Sequence, residues 1–71
     1  MASLVHELRR RLDLTQEKFA AKLGVAFPTI NRWENGLTVP SPLAKQRIED
    51  LLRSIGNDGA DLLADYFSKE R

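Results

Sequence analysis

Few residues in this chain are equipped for bond-making chemistry. His6 is its only histidine, and it has no cysteine. A lone imidazole without a thiolate or a second histidine makes no metal site, so His6 is read as a surface or edge residue. Ser41 and Ser54 lack a nearby base and read as a helix cap and a helix surface. Asp58, in Gly56-Asn57-Asp58-Gly59, reads as a turn or cap residue, because a calcium loop needs several acids at alternating positions. There is no glycine-rich phosphate loop. These absences argue against an enzyme and against a bound metal or cofactor. Two other groups remain. The run Arg9-Arg10-Arg11 reads as one buried pair and two solvated or phosphate-facing charges. Trp33 reads as core and not as a stacking platform for single strands.

The elements that position these groups are marked by regular punctuation. Leu4, Val5, Leu8 and Leu12 recur at helical spacing, so a first helix is expected over Ser3 to Leu12 with Ser3 as its cap. Thr15 caps a second helix whose apolar face is Phe19, Ala20 and Leu23, and Gly24 ends it in the left-handed conformation. Pro28 fits only the first turn of a third helix, which buries Ile30 and Trp33 and stops at Asn35-Gly36. After a linker from Leu37 to Pro40, Ser41-Pro42 starts a fourth helix with Leu43, Ala44, Ile48, Leu51, Leu52 and Ile55 on one face. Gly56 to Gly59 breaks it, and a fifth helix is expected from Asp58 to Lys69, presenting Leu62, Leu63, Tyr66 and Phe67. No strand-like alternation persists. The fold class is therefore all-α: one compact five-helix domain over residues 1–71.

Seventy-one residues is one small domain. Such a chain buries only about 60% of the surface its unfolded form exposes, so it needs idealised packing or a partner. Its 42% apolar and 30% charged content is globular. No apolar run approaches the roughly 18 residues of a membrane span, and no signal peptide is read at the start; a cytoplasmic protein is the expectation. The formal net charge is only +1, but it is unevenly sorted. Residues 1–35 hold six cations and four acids, and residues 36–71 hold five and six.

The second and third helices are joined by about three residues, which makes a steep corner and not a side-by-side hairpin. A corner limits size: a small residue at Ala20, a turn at Gly24, Val25 and Ile30 filling the angle, and Trp33 closing it. Thr15-Gln16-Glu17-Lys18-Phe19-Ala20-Ala21-Lys22-Leu23-Gly24-Val25, followed by Ile30-Asn31-Arg32-Trp33-Glu34-Asn35-Gly36, resembles the phage repressor and Cro type of helix-turn-helix, the Xre family. The likeness covers about Leu8 to Leu52, with the motif at about 15–36. Several independent constraints coincide in it, so it is specific.

The resemblance implies a sequence-specific double-stranded DNA-binding regulator of transcription, with the third helix in the major groove. It implies base contacts by Phe27, Pro28, Asn31 and Arg32. Arg32 can pair with guanine, Asn31 with adenine or a phosphate, and Phe27 can pack on a thymine methyl. It implies phosphate contacts by Thr15, Gln16, Glu17, Thr29, Asn35 and Lys45, those of Gln16 and Glu17 partly through backbone N–H groups at a helix N-terminus. It implies a structural ion pair between Arg9 and Glu34. One departure is the stretch Leu37 to Pro42, which lacks the cations that relatives often carry there. With the low net charge, that departure implies modest affinity per subunit and a dimer or a partner. Leu62, Leu63, Tyr66 and Phe67 either fold back onto the core or form a homodimer contact. The alternative function is an antitoxin or protein-interaction module that keeps the fold, binds DNA weakly and has a protein partner such as a toxin.

Overall fold

Helix α1 begins earlier than a Ser3 cap predicts. The computed structural model describes residues 1–67, and in it α1 is Ala2–Arg11 with Met1 at the cap position and no capping side chain. The Val5 N–H already donates to the Met1 carbonyl at 3.0 Å, so Ser3 lies inside the first turn. The remaining helices are α2 (Gln16–Leu23), α3 (Phe27–Glu34), α4 (Pro42–Ser54) and α5 (Asn57–Phe67). Two starts use side-chain caps. Thr15 Oγ1 accepts from the Lys18 N–H at 3.1 Å, and Ser41 Oγ accepts from the Ala44 N–H at 3.2 Å.

Three helices end on the same device. After α1, Asp13 N–H donates to Arg10 O and Leu14 N–H to Arg9 O; Gly24 and Val25 repeat this after α2, and Gly36 and Leu37 after α3. Each reversal needs a left-handed residue, and the three are Asp13 (φ 56°), Gly24 (φ 76°) and Gly36 (φ 74°).

The expected break at Gly56–Gly59 is shorter than the sequence suggests. Only Ile55 and Gly56 separate α4 from α5, and Gly59 is a buried residue of α5. A Cβ there would lie 2.8 Å from Leu52 O and 2.9 Å from Ile55 Cγ1. Gly59 therefore serves a close approach of α5 to α4. The expected end of α5 at Lys69 lies outside the described residues.

The core takes Leu4, Val5 and Leu8 from α1, Phe19, Ala20 and Leu23 from α2, and Ile30 and Trp33 from α3. Helix α4 adds Ala44, Ile48 and Leu52, and α5 adds Leu62. Helix α1 packs on α3 and α5, and α4 packs on α5 and α2. Leu43 departs from its expected place on the α4 face: it sits in the first turn and is 64% exposed. On α5, Leu63 and Phe67 pack partly against the core, while Tyr66 stays outside. The radius of gyration is 11.2 Å, against about 11 Å for a compact chain of this length. Among the described residues, no helix is long and apolar enough to cross a membrane.

In the arginine run, Arg9 is half-buried, and Arg10 and Arg11 are exposed. Arg11 is exposed but also paired: it donates to Asp61 Oδ1 at 2.7 Å, to Asp61 Oδ2 at 3.0 Å and to Glu7 Oε2 at 2.8 Å, which ties α1 to α5. Arg10 also pairs with Glu7, at 2.7 Å. The partner in α5 lies fifty positions away, so only the tertiary packing brings it to Arg11.

Candidate nucleic-acid interface

The corner between α2 and α3 is three residues long, Gly24 to Ala26. Ala20 is almost fully buried at the crossing. Gly24 reverses the chain, and the Arg47 guanidinium of α4 donates to the Leu23 carbonyl at 2.9 Å. That contact places a cation on the negative end of α2. Sequence reasoning missed Arg47, because only packing of α4 against α2 brings it there.

Ile30 and Trp33 point inward, so α3 turns its other face to solvent. Phe27, Pro28, Asn31 and Arg32 are all exposed on that face, Phe27 at 47%. Arg32 has no ion-pair partner among the described residues.

A chain of polar contacts runs beneath this face. Arg9 Nε donates to Glu34 Oε2 at 2.6 Å, and Arg9 Nη2 donates to Oε1 at 3.1 Å. Arg9 also donates to the Leu14 carbonyl at 3.0 Å. Gln16 Nε2 donates to the same Glu34 Oε1 at 2.9 Å. The Gln16 carbonyl oxygen in turn accepts from Asn31 Nδ2 at 3.3 Å, and Asn31 Oδ1 accepts from Asn35 Nδ2 at 3.0 Å. Residues of α1, α2 and α3 are thereby linked through one carboxylate. The Glu34 side chain is only 8% exposed. Burial pushes its carboxyl up, but the hydrogen bonds from Arg9 and Gln16 outweigh that and hold it below the usual carboxylate range.

The remaining residues lie around this chain. Thr15 and Glu17 are exposed at the start of α2. The Gln16 and Glu17 backbone N–H groups precede the first donors satisfied there, those of Lys18 and Phe19. Thr29 is half-buried in the first turn of α3. Lys45 is exposed on α4, and no hydrogen bond or ion pair among the described residues joins it to the Gln16–Asn31 chain. His6 lies at the surface, as the sequence suggests. It is 58% exposed, and its Nδ1 lies 3.6 Å from Glu34 Oε1, at the rim of the same cluster. No group of three or more metal-ligating side chains occurs among the described residues.

A helix-turn-helix family profile matches residues 5–55. The chain belongs to the helix-turn-helix family. It is also 38% identical over 58 residues to a protein of Methanothermobacter thermautotrophicus named as an uncharacterized HTH-type transcriptional regulator, covering 82% of this chain and 80% of that one. No solved structure matches. The profile reaches from α1 into the turn after α4, so the helix-turn-helix proper, α2 and α3, lies inside it with its bracing helices. Fold and family agree on an all-α domain.

Proposed function

We propose that this helix-turn-helix domain is a sequence-specific regulator of transcription that binds double-stranded DNA with α3 in the major groove. Phe27, Pro28, Asn31 and Arg32 face the base edges. Thr15, Gln16, Glu17, Thr29, Asn35 and Lys45 face phosphates. Arg9 and Glu34 hold α1 against α3. The observation that carries this reading is the outward face of α3: an exposed guanidinium at Arg32, in no ion pair among the described residues, stands one residue from an amide fixed by Gln16. Arginine pairs bidentately with guanine O6 and N7, and each such pair discriminates by about 1–3 kcal/mol.

Selection of bound duplexes from a random pool tests it. The expected result is an enriched sequence whose preference at one position is relaxed by Arg32→Ala. A recovered palindrome would also report a homodimer, because half-site spacing mirrors the protein's two-fold axis.

One observation favours a second reading. Leu37 (71% exposed) and Val39 (69%) of the cation-free linker, and Leu43 (64%) just after it, are exposed apolar side chains. Exposed apolar side chains of this kind suit a protein partner, such as the toxin of an antitoxin pair. If no sequence is enriched and Arg32→Ala leaves affinity unchanged, this reading replaces the first.

A further inference from the structure

His6 stands beside the residues that brace the DNA-facing corner, and its position has a charge consequence. Glu34 Oε1 receives Gln16 Nε2 at 2.9 Å and lies 3.6 Å from His6 Nδ1, so the Gln16 amide and the imidazole stand side by side over one oxygen. The Gln16 side chain is half-buried, while His6 is 58% exposed. The cluster beneath them is electrically closed, because the one full charge of Arg9 cancels that of Glu34. A phosphate arriving at the start of α2 therefore gains no net attraction from that pair. A cationic His6 changes this, since it adds a positive charge at the rim of this pair that can face outward.

We infer that His6 is a DNA-backbone contact: its imidazolium holds, through the outward Nε2–H, a phosphodiester next to the one held by Gln16 and the start of α2. Nδ1–H faces Glu34, which orients the ring. Glu34 of α3 is the only carboxylate within 4.0 Å of the ring among the described residues. On its own helix the neighbouring charges, Glu7, Arg9 and Arg10, are already paired, and α2 brings the neutral Gln16. Cation and phosphate stabilise each other, so binding takes up a proton and tightens as pH falls. The contact rests on the DNA-binding reading above.

The test is the salt dependence of duplex affinity for the parent chain and His6→Gln, measured at pH 6 and pH 8 on a selected duplex. Each cationic phosphate contact adds about 0.9 to the log–log slope. The expected result is a slope steeper by about that amount for the parent chain at pH 6, and equal slopes at pH 8. Equal slopes at both pH values overturn the contact, and so does a difference that is the same at both. Urea unfolding of His6→Gln separates loss of contact from loss of fold. Failure of the underlying reading looks different: Arg32→Ala then leaves affinity and preference unchanged, and absence of any duplex binding overturns both.

Discussion

At the scale of single residues, the Arg9–Glu34 pair is the most consequential interaction. It is two-pronged and shielded, with the Glu34 side chain 8% exposed and Arg9 20%. A shielded ion pair contributes little over an apolar substitute, but removal of one partner strands the other. Arg9→Met leaves Glu34 with only the Gln16 amide and a more distant imidazole. That variant is expected to lose about 3 kcal/mol in urea unfolding, the lower end for a buried pair because Arg9 keeps some solvent. The double variant Arg9→Met/Glu34→Leu should recover much of the loss. If the two single losses simply add, the pair is not coupled. The sequence suggested this partnership only through a family likeness, since the two positions are 25 apart. His6 and Arg47 carried no such signal. Each lies on a helix whose apolar face is clear, but nothing local says which neighbouring helix its polar side meets.

At the scale of elements, helix boundaries were legible wherever the terminating chemistry is local. Thr15, Ser41, Pro28, Pro42, Gly24 and Gly36 act within one turn of themselves, and each marks a helix start or end in the structure. Gly59 was misleading because its role depends on α4, not on its own segment. Gly59→Ala gains some helix propensity, but the added Cβ meets a backbone carbonyl at 2.8 Å. Overpacking of that kind costs about 1–3 kcal/mol, so a net loss of stability is expected, read as a lower thermal midpoint. The α1 terminus predicts the opposite sign. Asp13 occupies a left-handed position that Gly24 and Gly36 fill without strain, and it sets an anion at the negative end of α1. Asp13→Gly should stabilise the domain by about 0.5–1 kcal/mol, raising the midpoint by several degrees. A lower midpoint would show that Asp13 makes a compensating contact.

At the scale of the whole molecule, the near-zero net charge hides a division of labour. Arg9, Arg10 and Arg11 are consumed in pairs that fasten α1 to α3, to itself and to α5. Lys18, Lys22, Arg32 and Lys45 are exposed and outside any ion pair among the described residues. This split between structural and available cations was invisible in composition, because it depends on which acids the fold brings near. It has a consequence in acid. Hydrogen bonds from Arg10 and Arg11 lower Glu7 from 4.5 to about 2, and the hydrogen bond from Arg11 lowers Asp61 from 3.8 to about 2. Glu34 is lowered as well, by Arg9 and Gln16 against its burial. A carboxyl whose folded value is depressed binds its proton more readily when unfolded, so stability falls as pH falls. These contributions are fully present above the ordinary carboxylate values and vanish as pH drops through the folded ones. The urea midpoint should therefore hold steady from neutral pH down to the upper edge of that window, then fall continuously between 4.5 and about 2. Asp61→Asn removes one of these groups while leaving Arg11 its Glu7 partner, so it should flatten the fall without abolishing it. Added salt should shrink the Asp61 contribution, because that pair is exposed and screened, and spare the Glu34 contribution, which is shielded. An acid profile that responds equally to salt in the parent and in Asp61→Asn would mean that the α1–α5 pair contributes nothing to the fold.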